Sequence, residues 1–298
     1  MLALLTIVHP LVDACSLCVL LAGGMMWERV LAYNFLAFAL QLPLGVALDA
    51  RPGLGRGGFV VGTGLVCAAA LASVAGAHGW FVLSVACVGN ALFHLTAGKQ
   101  VLDAHGGKSG PIGLFISTGA LGLLAGRLGM ERWGALVLPL FVGALVVCAT
   151  VAGCRREWTE RAAADESAVV STIGVLVLAG LFVLIAWRSW VGLEATRLSM
   201  AAGTAVVLAG AAAAWGGKAA GGYLAERLGR WPTLAASVCG SVALAWACAP
   251  EAVVAWIVLL FVAQLATGPV LSLAYDHLGR RSGTAFGLNC LGLFAGSF

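Results

Sequence analysis

The chain has 298 residues, 61% of them hydrophobic and only 10% charged, with a mean hydropathy of +1.00. A soluble domain carries about 25% charged residues, and a chain of this length cannot hide the deficit in one core, so it belongs in a bilayer. The net charge of +4 comes without clustered basic residues, which speaks against a nucleic-acid partner.

Eleven apolar runs follow one another, at 3–24, 30–48, 58–77, 79–99, 111–129, 133–153, 168–191, 198–220, 231–249, 252–273 and 284–298. Each approaches the ~20 residues that cross a hydrocarbon layer as a helix. The runs are continuously apolar instead of alternating, which argues against a β-barrel. The 41 glycines fit helices that approach closely in lipid. The class is therefore an all-α membrane protein.

The first run has no basic leader and carries His9 and Asp13, so it reads as a retained helix and not a cleaved signal. Asp13 is the one acidic residue placed well inside a run. His9, four residues earlier, shares its helical face. A carboxylate at bilayer depth is costly and usually lines a pathway. The pair can carry a coupling proton, or it can be a static bond between helices.

In the fourth run, GNALFHLTAGK places Asn90 one turn before His94. His94 reads either as a pathway residue or as a packing histidine. In the seventh, AWRSWVG carries Arg188 and Trp190 near the outer end of the run. Arg188 either snorkels or faces the interior, where it would attract an anion or pair with Asp13. Gln264 and Asn289 are further polar lining groups or interhelical hydrogen-bonding residues.

The loops set the orientation. Those after runs two, four, six, eight and ten carry twelve Lys and Arg residues, against four in the others. This bias places the N-terminus and the even loops in the cytoplasm of a cell whose inner or plasma membrane holds the protein. GGYLAERLGR (221–230), between two apolar runs, reads as a tight cytoplasmic turn. In it Gly222 lets helices approach, and Arg227 and Arg230 hold the turn in water. Lys218 reads as a snorkelling residue near the end of its run.

The chain also repeats. Gln41-x-x-x-Gly45-x-x-x-Asp49 matches Lys218-x-x-x-Gly222-x-x-x-Glu226, and GGKSG (106–110) matches GRRSG (279–283), at shifts of 177 and 173 residues. Two homologous halves explain both: 1–153 with six helices, a polar linker at 154–167, and 168–298 with five. Halves related by an axis along the membrane normal are a known transporter architecture.

GGYLAERLGR resembles the loop motif of the major facilitator superfamily, and GVALDARPGLGR (45–56) is a degraded copy that keeps Gly45, Asp49 and Arg56. The resemblance implies two six-helix halves, about eleven transmembrane helices being present here and the twelfth lacking after Phe298. It implies that Glu226 faces the helix starting near Pro111 and Asp49 the one starting near Thr284, gating the cytoplasmic side. His-x-x-x-Asp in the first run and Phe-His in the fourth are similar to the branch with fosmidomycin-resistance-type exporters.

The expectation is a secondary active transporter moving a small molecule by alternating access. Asp13 with His9 or His94 would carry the coupling proton, and efflux is the guessed direction. A non-transporting scaffold or sensor on the same fold is the alternative. No enzyme constellation is found. GGKSG lacks the first glycine of a phosphate-binding loop, where Leu102 stands. Cys15-x-x-Cys18 lacks matching ligands, and the nine cysteines are scattered through the runs, so neither metal nor cofactor is expected.

Overall fold

The computed structural model describes residues 1–24, 26–51, 53–159, 171–247 and 252–298, with the side chains of 199–202 left aside. Among these residues every regular element is helical. Eleven segments run in chain order: α1 Leu2–Ala22, α2 Trp27–Ala50, α3 Leu54–Val74, α4 Trp80–Ala104, α5 Ser109–Trp133, α6 Leu138–Cys154, α7 Thr172–Ala202, α8 Thr204–Leu228, α9 Arg230–Ala247, α10 Val253–His277 and α11 Ser282–Ala295. Seven helical stretches among them are long and apolar enough to cross a membrane, and one, Ser109–Cys154, holds both α5 and α6.

Two helices are interrupted. α2 contains a π-helical turn at Phe35–Ala39. α10 breaks after Gln264 and resumes at Thr267. In lipid such breaks are tolerated where other groups satisfy the freed backbone.

Several helices run past the apolar runs that announce them. GGYLAERL is not a turn. α8 continues through it to Leu228, and the chain reverses at Gly229, whose φ of +98° suits glycine. The end of an apolar run marks where hydrocarbon would stop, whereas Ala, Leu, Glu and Arg continue a helix into water. α4 likewise extends to Ala104, which puts Asp103 inside a helix, so Asp13 is not alone among helical acids. At the start of the sixth run, Trp133 ends α5 and Gly134–Val137 forms a 3₁₀ turn.

The close crossings lie where the two copies of the repeat meet each other's half. α5 packs against α8 and α2 against α11. A side chain on Gly222 would collide with the Ser109 carbonyl, one on Gly45 with the Gly283 carbonyl, and one on Gly287 with the Gln41 carbonyl. Backbone thus touches backbone at both crossings.

The main buried cluster joins α1–α7 and α9–α11, and a smaller one holds Val191, Ala213, Leu259 and Leu260. Phe81, Leu136 and Trp246 stand at least 80% exposed, as side chains facing lipid would. Of the linker at 154–167, residues 160–167 lie outside the described residues. Its start is held to the first six helices, with Trp158 against Phe59 at 5.0 Å between ring centres and the Thr159 amide donating to Gln100 Oε1 at 2.8 Å.

Candidate functional site

α1, α4 and α5 bring His9, Asp13, Asn90 and His94 into one buried cluster. Nε2 of His9 lies 3.2 Å from Asp13 Oδ2, and Nε2 of His94 lies 3.3 Å from Asp13 Oδ1. The two Nε2 atoms are 2.8 Å apart. Asn90 Nδ2 donates to Asp13 Oδ1 at 3.3 Å and to Ser16 Oγ at 3.1 Å. A side chain on Gly119 would strike Asp13 and His9, so the missing Cβ makes the room.

Each imidazole is oriented by a carbonyl. Nδ1 of His9 faces Phe115 O at 2.7 Å, and Nδ1 of His94 faces Asn90 O at 2.9 Å. A carbonyl oxygen only accepts, so Nδ1 carries the hydrogen in both rings. In the neutral rings both Nε2 atoms are then bare, and they point at each other and at a carboxylate. Lone pairs converge there from three groups, and a proton or another cation between them relieves the repulsion. Two imidazoles and a carboxylate, with ligand atoms all within 4.8 Å of one another, are also a donor set that suits a transition-metal ion.

The second half carries a counterpart. Arg188 on α7 is 3% exposed. Its Nη1 donates to Gln264 Oε1 at 2.8 Å and Thr267 Oγ1 at 3.0 Å, on the two sides of the α10 break. Nη2 reaches Asn289 Oδ1 at 3.4 Å. Arg188 does not snorkel, and among the described residues it forms no ion pair, with Asp13 or any other acid. Lys218 is mid-helix in α8 and half-buried, within electrostatic range of Arg188 and Asp13 instead of at a helix end. Trp190 packs against Trp187 and Trp256, in the smaller apolar cluster.

The motif acids cap helices of the opposite half. Asp49 accepts from the amides of Gly283 at 2.9 Å and Thr284 at 2.7 Å, and from Thr284 Oγ1 at 2.9 Å. Glu226 accepts from the Gly110 amide at 2.8 Å. A carboxylate at a helix N-terminus gains about 0.3–1 kcal/mol, more when partly buried. Arg230 pairs with Asp276 on α10, whereas Arg56 and Arg227 are exposed.

Sequence reasoning missed one member of this network. Lys99 donates to Asp49 at 3.0 Å and to Ser282 Oγ at 2.9 Å, and pairs with Asp103 at 3.1 Å. It read as a loop charge because the fourth apolar run stops there. The signal was the i, i+4 spacing of Lys99 and Asp103. Beside it, Ser272 Oγ donates to the Gly107 carbonyl, tying α10 to the turn between α4 and α5. Outside the helices, burial and the Lys108 charge hold the His105 imidazole below its ordinary range.

The whole chain superposes on solved transporters. It matches the major facilitator superfamily transporter FucP in its outward conformation with a TM-score of 0.70 and 15% identity, over 99% of this chain and 89% of that one. A variant of the E. coli fucose:proton symporter FucP matches with a TM-score of 0.68 at 12% identity, over the same shares. A bacterial homologue of the iron transporter ferroportin in its outward-facing state matches at 0.52 and 16%, over 99% and 89%. No family model and no curated protein matches the sequence. The chain therefore has the major-facilitator-like fold, with eleven helical segments among its described residues.

Proposed function

We propose that the protein is a proton-coupled secondary transporter that moves a small molecule by alternating access between its two halves. The observation that carries this reading is the buried cluster of Asp13 between the Nε2 atoms of His9 and His94. A static bond would need one histidine. Two bare imidazole nitrogens facing one carboxylate make a place where a proton binds and leaves with little rearrangement. The likeness to a fucose:proton symporter supports the reading at the level of fold.

Capping of α11 by Asp49 and of α5 by Glu226, with Lys99 between α2, α4 and α11, would hold the even-loop side shut and release on opening. The positive bias of those loops supports placing that side and the N-terminus in the cytoplasm of an inner or plasma membrane. Halves at 1–153 and 168–298 would rock against each other. Efflux and the exporter branch rest on the sequence resemblance.

A second reading has the same cluster bind a transition-metal cation as cargo, favoured by its two-imidazole, one-carboxylate donor set. One of the structural neighbours is described as a homologue of an iron transporter. Proteoliposomes carrying an internal pH dye, presented with candidate solutes and then with Mn²⁺ or Zn²⁺, test both readings. Solute-driven proton movement abolished by Asp13→Asn supports the first, and metal uptake without proton movement supports the second. Neither signal, from protein shown to be folded, favours a scaffold or sensor.

A further inference from the structure

Arg188 and Asp13 occupy matching places in the two halves. They stand 175 residues apart, and Asn90 and Gln264 stand 174 apart, within the 173–177 shift of the loop repeats. The contacts match as well. In the first half the amide of Asn90 on α4 binds the charged group of Asp13 on α1. In the second the amide of Gln264 on α10 binds the charged group of Arg188 on α7. The charge is reversed between them.

The two sites differ in completion. Asp13 has His9 and His94 as partners that can become positive. Arg188 has only neutral oxygens, from Gln264, Thr267 and Asn289, and no carboxylate within ion-pair distance among the described residues. Burying a guanidinium without a counter-charge is expensive.

The unused hydrogen-bonding capacity has a direction. Gln264 and Thr267 take Nη1, Asn289 reaches Nη2 only at 3.4 Å, and Nε is buried with no partner among the described residues. The Nε–Nη2 edge of a guanidinium binds two oxygens of one oxyanion in parallel. The same guanidinium is held by its Nη1 at the α10 break, and substrate sites in transporters are commonly built at discontinuous helices.

We propose that Arg188, oriented by Gln264 and Asn289, is the binding site for a small oxyanion, a carboxylate or a phospho group, and that the transported molecule is an acid. This rests on the transporter reading. The proton site in one half and the anion site in the other would let the protein take up a proton and an acid together with their charges offset.

The test uses the full chain, purified and reconstituted in nanodiscs. Binding is read by calorimetry and melting temperature with benzoate, its neutral isostere benzamide, benzylammonium and methylphosphonate. Benzoate, methylphosphonate or both should bind and raise the melting temperature, while benzamide and benzylammonium should not. The two anions separate a carboxylate from a phospho site. Arg188→Lys keeps the charge and loses the fork, and should weaken anion affinity about tenfold or more. The proposal fails if neither anion binds, if benzamide binds as well as benzoate, or if Arg188→Lys binds anions like the wild type. Where Arg188→Lys does not fold, the charge selectivity of the wild type decides. No proton gradient is needed, so a protein that binds anions through Arg188 yet moves no protons overturns the proton-coupled reading and leaves the oxyanion site standing.

Discussion

Nε2 of His9 lies 2.8 Å from Nε2 of His94, and the Nδ1 of each ring is committed to a backbone carbonyl. Neither ring can turn its hydrogen toward the other without giving up that hydrogen bond, at about 0.5–1.5 kcal/mol. Replacing His94 with Gln should keep the fold, because a glutamine amide can still donate to Asp13. It should reduce proton-coupled transport at least tenfold, because the amide cannot take up a proton. Melting temperature and proton flux, measured side by side, check this. A variant with unimpaired flux would assign His94 to packing.

The two capping acids are unequal. Asp49 binds two amides, a hydroxyl and Lys99, whereas Glu226 binds one amide from an exposed position. Losing a helix cap costs about 0.5–2 kcal/mol, or up to roughly 30-fold in a local opening equilibrium. Hydrogen–deuterium exchange of 282–290 should accelerate strongly in Asp49→Asn. Exchange of 109–115 should accelerate much less in Glu226→Gln. Equal changes would remove the asymmetry from the account.

Lys99 lies between Asp49 and Asp103, all three buried. Lys99→Met leaves two buried carboxylates without their cation, and breaking such a pair costs about 3–5 kcal/mol. The expected outcome is a large fall in melting temperature that Asp103→Asn, added to the same chain, partly restores. A single variant as stable as the wild type, or no rescue by the second change, would show that the pair contributes little.

His105 supplies a pH dependence on the even-loop side. Burial and the nearby Lys108 lower its folded-state pKa. A base lowered on folding binds more protons when unfolded, so its contribution to stability is present above the ordinary histidine value of about 6.5 and is lost as pH falls below it. Between pH 7 and pH 5 the melting temperature of His105→Asn should fall less than that of the wild type. Parallel curves would contradict the assignment.

The fold was legible in the sequence because its signal is coarse. Eleven apolar runs correspond to eleven helical segments, and the repeat of Gln41-Gly45-Asp49 in Lys218-Gly222-Glu226 falls on α2 and α8. Helix ends were less legible, since hydropathy reports where lipid would stop and not where the backbone stops winding. That is why GGYLAERL read as a turn and Lys99 as a loop charge. The proximity of His9, Asp13, Asn90 and His94 was half legible. Spacing placed each pair on one helical face, but only the packing of α1 on α4 and α5 brings them to one point. That no acid among the described residues pairs with Arg188 had no sequence signal, because it depends on which of thirteen acidic residues lie near in space.

The central claim is that the cluster around Asp13 exchanges a proton when substrate binds. The direct test is proton release or uptake by the purified protein, in weakly buffered solution, on adding a ligand shown to bind by calorimetry, for the wild type and Asp13→Asn. The account predicts a ligand-dependent proton signal in the wild type that disappears in the variant while the ligand still binds. A signal of the same size in Asp13→Asn, or none in the wild type with ligand bound, would contradict it.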